Sequence, residues 1–537
     1  MSGSNLVQPL FAAWDTHPDK SALRIPRMRG VECLSEQHLT FGQLKDEVGR
    51  YQRALDALDL KKGDRVLVLS RVRAELYVLM VALLGLGLVP VLIDRGMSAG
   101  RIRAAIRLSG AQVAIGESDI LRYWWFFPPM WWMKRLALDG KTLGVEDFNT
   151  WLPTHFEPRI ELLAKDAHGL ITYTSGSTGV PKGADRTHDS LIAQHHAIRE
   201  HWQDQPDDID CPSFPVLVLH NLCCGITTVL PKVDLATPGR FDPVELVKQL
   251  QQEGVTRLSA APAFMQHLCD YAIAHQVQLP GIRAVAIGGS TLPSRLVNRL
   301  SVVFPAAHIV GVYGSTEAEP IADVQLDELL REGDSHDGHL VGYPARSATV
   351  CIVPIGQVLK DDAKVRRVQC AAMTIGEVLV SGKHVLKGYI DNPDATRESK
   401  IPRADGTVWH RTGDAGYIDE RGRLWLVGRI KDGIKVGDRI IWPYPLEKEL
   451  DDLPGIHRAA AIAWDGRLLL VLESASATPL DMSAIVELMR QSGIFRVSWA
   501  TVPALPVDGR HNSKIDRLLL RKWLEQAKLR PQDLELS

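Results

Sequence analysis

Residues 76–93 form a run of 18 side chains without one formal charge. A run of that length either spans a bilayer or is buried on all sides inside a folded domain. Gly85, Gly87 and Pro90 break its second half, and strand-like runs flank it at Arg65–Ser70 and near 112–115. The pattern therefore predicts a buried helix near 74–87, a buried parallel strand near 89–93 and a second helix near 98–109. Ahead of it, Leu44, Val48, Tyr51, Leu55 and Leu58 step by four and three, the period of one helix face over 41–58. Alternation of this kind predicts a parallel sheet with helices on its faces.

At 537 residues the chain is too long for one hydrophobic core, so two or more domains are expected. Lys+Arg 62 against Asp+Glu 64 leave a formal charge of −2, which gives no whole-chain attraction to nucleic acid. Seven cysteines without metal-ligand spacing fit a reducing cytoplasm, and the adjacent Cys223-Cys224 pair reads as core packing. The first twenty residues lack the basic and apolar regions of a secretory signal, so a cytoplasmic location is expected. Four of the 13 tryptophans fall within 123–135, with Phe126, Phe127 and Lys134-Arg135 among them. Aromatic rings beside cations suit a membrane interface or a protein partner, the alternative being a packed loop or a cover over an acyl tunnel.

Further along, 188–202 reads as a helix, Pro243–Gln252 as a helix and Arg257–Ala261 as a strand. Strands Ala284–Ile287 and His308–Val312 each run into a glycine-containing loop, and in open α/β sheets ligands sit beyond such strand ends. From 338 to 430 short alternating runs between Gly-rich turns predict a β-rich subdomain. A smaller α+β unit follows, with a hairpin at Asp465-Gly466, helix 482–491, strand 495–500 and a final helix 514–527. The fold class is thus α/β: a large N-terminal domain of parallel sheets with a β-rich subdomain, 1–430, then a small α+β domain, 431–537.

The stretch richest in chemistry is Thr174-Ser175-Gly176-Ser177-Thr178-Gly179-Val180-Pro181-Lys182-Gly183. It offers close backbone approach, N–H and hydroxyl donors and one cation, the needs of a bound polyphosphate. Its glycine spacing is not that of the common nucleotide P-loop. Composition alone fits a flexible linker equally well, but the β-prone run Gly169–Tyr173 before it and the Pro-Lys-Gly ending favour an ordered junction.

This stretch resembles the signature loop of the adenylate-forming superfamily, which holds acyl-CoA synthetases, luciferase and nonribosomal-peptide adenylation domains. Tyr313-Gly314-Ser315-Thr316-Glu317 resembles the superfamily's aromatic-Gly-x-Thr-Glu loop, Gly288-Gly289-Ser290 its adenine-lining segment, and His410-Arg411-Thr412-Gly413-Asp414 its Thr-Gly-Asp motif. The resemblance implies ATP and Mg²⁺ as cofactors and a mobile C-terminal domain. It also implies roles: Tyr313 stacking on adenine, Thr316 donating to the α-phosphate, Glu317 holding Mg²⁺, and Asp414 with Arg429 at the ribose. Lys182 would neutralise phosphate, Lys431 would be the inter-domain hinge, and Lys514, in 506–517, the catalytic lysine. His220 is a candidate gate or acyl-pocket residue, or else a satisfied structural histidine.

Segments 510–514, 409–417 and 423–425 and the Ser213-Phe214-Pro215 region look like bacterial β-lactone synthetases of olefin biosynthesis and their fatty acyl-CoA ligase-like relatives. That likeness implies a fatty or β-hydroxy fatty acid substrate. The superfamily usually reads Lys-x-x-Gly after the hinge, whereas this chain has Lys435-Val436-Gly437-Asp438, which leaves CoA use open. Transfer to CoA or to a carrier-protein thiol, or a non-catalytic acyl-binding module, are the alternatives.

Overall fold

Thr40 starts the helix Phe41–Asp56 with a capping box: its hydroxyl accepts from Gln43 N at 3.2 Å, and the Gln43 side chain accepts the Thr40 N–H at 2.9 Å. The buried stripe Leu44, Val48, Tyr51 and Leu55 packs against helix Ala74–Gly85, which is buried almost all round. Strand Val89–Ile93 follows directly. The uncharged run is thus a core helix and a core strand, as its interruptions predict. Among the described residues no helix is long and apolar enough to cross a membrane.

The structure, a computed structural model, describes residues 3–29, 32–94, 96–174, 180–202, 204–235, 241–333, 335–474, 479–508, 513–526 and 528–534. A first sheet of seven strands runs in the order Glu146–Asp147, Lys134–Ala137, Val113–Gly116, Arg65–Leu69, Val89–Ile93, His168–Thr174 and Lys182–Thr187. All neighbours are parallel except the last pair, a hairpin in which Thr174 faces Lys182.

A second sheet has a parallel centre: Ile209–Pro212, Arg257–Ala260, Ala284–Gly288 and His308–Ser315. Helices Pro243–Gln252, Pro262–Ala274 and Ser294–Val303 bury Leu246, Leu250, Leu268, Leu296 and Leu300 in its core. The β-rich stretch is not a detached unit. Strand Ala318–Gln325 pairs with His339–Pro344, which pairs in turn with Leu424–Arg429, so one hydrogen-bonded sheet of 14 strands reaches Thr349–Val353. The antiparallel strands Ser21–Arg29 and Glu32–Thr40 close its other edge.

Residues from Ile434 onward build their own sheets. Hairpin Ile434–Val436 with Arg439–Ile441 precedes a four-stranded sheet: Ile456–Trp464, Arg467–Ser474, Val497–Val502 and Gln532–Leu534. Leu446, Leu450, Ile485 and Met489 cover one face, and Leu520 and Leu524 of helix Arg517–Glu525 cover the other. This last helix starts three residues later than its sequence pattern predicts. Lys514 precedes it, next to an isolated bridge between Val507 and Ile515.

Candidate active site

The strand pair His168–Thr174 and Lys182–Thr187 sets the mouth of the glycine-rich loop by pairing Thr174 with Lys182. Ser175, Gly176, Ser177, Thr178 and Gly179 lie outside the described residues. Gly183 permits a close approach: a Cβ there would meet Ile390 Cγ2 at 2.4 Å and the Tyr173 ring at 2.9 Å. Ile390 N reaches Gly183 O at 2.9 Å, and this contact puts Tyr389 beside the loop lysine, with Lys182 Nζ 5.3 Å from the ring centre.

Arg186, on the same hairpin, ties the two sheets together. Its guanidinium donates to Thr172 Oγ1 at 2.6 Å and to the Thr316 carbonyl at 2.9 Å. The loop after strand His308–Ser315 is thereby fixed against the phosphate hairpin. Tyr313, Gly314, Ser315 and Glu317 line a shared cleft; Thr316 is anchored through its backbone and is not among the lining residues. Ser315 Oγ is buried and has no hydrogen-bond partner among the described residues. Gly289 and Ser290 line the same cleft, while Gly288 is the last residue of its strand.

Asp414 is the hub of the opposite wall. Tyr313 Oη donates to its Oδ2 at 2.6 Å, Arg429 Nε lies 3.0 Å from its Oδ1, and its backbone N donates to Thr412 Oγ1 at 3.0 Å. Arg429 also donates to the Thr412 carbonyl at 2.9 Å. A carboxylate has about four lone-pair positions, so each oxygen retains acceptor capacity toward a diol.

Glu317 accepts a 2.8 Å hydrogen bond from Tyr389 Oη. Burial alone would raise its carboxyl pKa, but His410, the Tyr389 hydroxyl and Lys400 together hold it below the usual range. His410 is itself pushed down to about 3 by burial and the Lys400 charge, and burial pushes Lys400 down to about 7. Lys400 is only 6% exposed, and its Nζ has no hydrogen-bond partner among the described residues. An ionised carboxylate facing a cleft is the oxygen donor that a hard divalent cation requires. Sequence reasoning missed both Tyr389 and Lys400. Their one signal was a Gly-Tyr pair and a lysine in a turn-rich stretch, far from any motif.

Lys514 and Lys431 line the cleft from the C-terminal side. Asp508 Oδ1 accepts from Lys514 N at 2.7 Å and from Ser513 N at 3.1 Å, which shapes the turn. Ser513 Oγ then accepts from Ala263 N at 3.2 Å, and Arg458 donates to the Ser513 carbonyl. Lys514 thus shares one cleft of about 1430 Å³ with Lys182, Tyr313, Glu317, Asp414 and Arg429. His220 is buried outside it.

Residues 10–390 match the family model described as AMP-binding enzyme. The chain belongs to the AMP-binding enzyme family. This AMP-binding enzyme is 29% identical over 538 residues to an olefin beta-lactone synthetase of Stenotrophomonas maltophilia, covering 94% of this chain and 95% of that one. It is also 29% identical to the olefin beta-lactone synthetase of Xanthomonas campestris pv. campestris, over 95% and 96% of the two chains. Among solved structures it is similar to O-succinylbenzoate coenzyme A synthetase from Bacillus subtilis, in complex with ATP and magnesium ion. That match has a TM-score of 0.75 and 21% identity, over 95% of this chain and 99% of the other. The family membership makes this AMP-binding enzyme an ATP-dependent, acyl-adenylate-forming ligase.

Proposed function

We propose that this ligase adenylates a fatty or β-hydroxy fatty acid and that the substrate's own β-hydroxyl then displaces AMP to close a β-lactone. In the first step a carboxylate oxygen attacks the α-phosphorus of ATP, the bond to the β-phosphate oxygen breaks, and acyl-AMP and pyrophosphate result. In the second, the hydroxyl oxygen attacks the acyl carbon, AMP leaves, and the hydroxyl proton passes to solvent. No external acceptor is consumed.

Each residue role in this reading is a proposal. Tyr313 supports the adenine, Asp414 and Arg429 take the ribose hydroxyls, and the Thr174–Gly183 loop with Lys182 holds the departing pyrophosphate. Thr316 donates to the α-phosphate. Glu317 would hold Mg²⁺, which when bound offsets phosphate charge. Lys514 bridges carboxylate and α-phosphate, lowering the repulsion between two anions that must meet. Residues 1–430 act as the adenylation domain, and 431–537 turn about Lys431 to withdraw Lys514 after the first step. The contact between Ser513 and Ala263 supports this closed arrangement for adenylation.

The single observation that carries the lactone reading is the nearly end-to-end likeness to two olefin beta-lactone synthetases. The loop expected to meet an external thiol supports it further. Here it is a short hairpin in which Gly437, at φ +61°, and Asp438 join Val436 to Arg439, with the glycine displaced from its usual place. The deciding experiment supplies ATP, Mg²⁺ and matched fatty and β-hydroxy fatty acids, with and without CoA, and reads the products by mass spectrometry. Lactone without CoA is expected; a thioester formed only with CoA assigns the acceptor to CoA instead. A carrier-protein thiol would leave free acyl-AMP in both arms. Absence of substrate-dependent ATP–pyrophosphate exchange would make the chain a non-catalytic acyl-binding module.

The aromatic segment adds a membrane contact to this reading. Trp125, Phe126 and Trp131 are about half exposed and Trp132 is 93% exposed, on two short turns between strands of the first sheet. In the same segment Arg135 stacks over the half-buried Trp124 at 4.0 Å and Lys134 over the half-buried Trp151 at 4.0 Å. Such a patch suits the boundary between acyl chains and headgroups, where a fatty substrate would be met.

A further inference from the structure

His195, Asp204, His220 and Cys224 meet outside the nucleotide cleft, and none of the four lines it. His195 belongs to helix His188–Trp202 and Asp204 follows its end. His220 lies in helix Val216–Cys223, and Cys224 is that helix's C-cap, one turn further on. The nearest ligand atoms of His195, His220 and Cys224 all lie within 4.8 Å of one another.

The spacing is informative. His220 Nε2 is 3.7 Å from Cys224 Sγ, Cys224 Sγ is 3.3 Å from Asp204 Oδ2, and Asp204 Oδ2 is 3.6 Å from His220 Nε2. Zinc bonds of about 2.0–2.3 Å at the tetrahedral angle place ligand atoms about 3.3–3.7 Å apart. The three atoms therefore describe one face of a tetrahedron. The His195 ring packs against that of His220 with centroids 4.7 Å apart, and its nearest ligand atom lies within 4.8 Å of those of His220 and Cys224.

We propose that His195, Asp204, His220 and Cys224 form a closed tetrahedral site for a transition metal ion of the zinc class. Two imidazoles, one thiolate and one carboxylate around a divalent ion give a neutral centre, which a buried position tolerates. Binding breaks the Cys224 S–H bond and releases that proton to solvent. His195 Nδ1 is buried without a hydrogen-bond partner among the described residues. Asp204 is oriented from behind: Arg257, fully buried, pairs with its Oδ1 and also reaches Asp210 at 3.4 Å and Asn221 Oδ1 at 3.2 Å. Four protein ligands leave no open position, so the site pins the two helices together and takes no part in acyl transfer.

The test uses the full-length protein, stripped with a chelator and titrated with Co²⁺, then with Zn²⁺ in competition. One equivalent of Co²⁺ should bind with tetrahedral d–d bands and a thiolate-to-metal charge-transfer band, and Zn²⁺ should displace it. Cys224→Ser should lose the charge-transfer band, whereas Cys351→Ser, which alters a buried cysteine elsewhere, should keep it. Zn²⁺ should raise the Tm of the stripped wild type and leave that of Cys224→Ser unmoved. An octahedral spectrum, binding well below one equivalent, or a thiolate band that survives in Cys224→Ser would overturn the proposal and leave a hydrogen-bonded Cys-Asp-His cluster. The wild-type titration decides the matter even where a variant fails to fold.

Discussion

The phenol of Tyr313 donates a 2.6 Å hydrogen bond to Oδ2 of Asp414, across 101 residues of chain. It joins the loop proposed to support adenine to the carboxylate proposed to hold ribose, so the two halves of a nucleoside site are set by one contact. The other carboxylate oxygen lies 3.0 Å from Arg429 Nε.

Tyr313→Phe keeps the ring and removes that donor. A hydrogen bond to a charged acceptor contributes about 1.5–3 kcal/mol, so kcat/KM for ATP should fall by about one to two orders of magnitude. Steady-state ATP–pyrophosphate exchange measures it. An unchanged value would separate the contact from nucleotide binding.

Lys514→Ala should lower adenylation by about 10²–10³-fold, the usual effect of removing one charge-stabilising donor from a reacting centre. ATP affinity should change little, and conversion of supplied acyl-AMP should remain near wild type. Exchange at the wild-type rate would show that another group bridges the two anions.

Asp451 gives a pH-dependent prediction. Its carboxyl, buried and accepting the Ala459 N–H at 2.6 Å, is pushed up to about 7, chiefly by burial. The unfolded carboxyl ionises near its ordinary value of about 4, so between these values the folded chain holds a proton the unfolded chain has shed. Stability therefore falls as pH rises through this window, and the penalty is full above it. Asp451→Asn cannot ionise and still accepts the N–H. Its advantage over wild type should grow from near zero at pH 4 to about 1–3 kcal/mol at pH 8, measured by urea unfolding. A difference that stays constant with pH would refute the assignment.

Replacing Trp125, Phe126, Trp131 and Trp132 by serine should abolish co-flotation with anionic liposomes while leaving Tm within a few degrees, since these side chains are exposed. Equal flotation of both proteins would remove the membrane contact from the proposed function.

The elements most legible in the sequence are those whose determinants are contiguous. The period of Leu44, Val48, Tyr51 and Leu55 marks helix Phe41–Asp56 because a helix face is a local property. The residues 76–93 resolve into helix and strand because glycine and proline interrupt them locally. Glycine-bearing strand ends at Gly288 and Ser315 are likewise local, and they open into the same cleft. Less legible was the last helix, whose apolar pattern begins at Ile515 although the chain first forms a bridge to Val507. That bridge depends on a partner strand segment and leaves no mark on the periodicity.

By itself the sequence determined the parallel α/β plan, the order of the elements and the candidate loops, because hydrophobic period and turn chemistry act over a few residues. Tertiary structure decided which candidates meet. Only folding brings Tyr313 to Asp414, Tyr389 under Lys182 and onto Glu317, and Ser513 against Ala263. It also continues the β-rich stretch into the second sheet through His339–Pro344 and gathers Asp204, His220 and Cys224 around one point. These pairings are set by strand register and by packing between distant segments. Neither is encoded in the spacing along the chain.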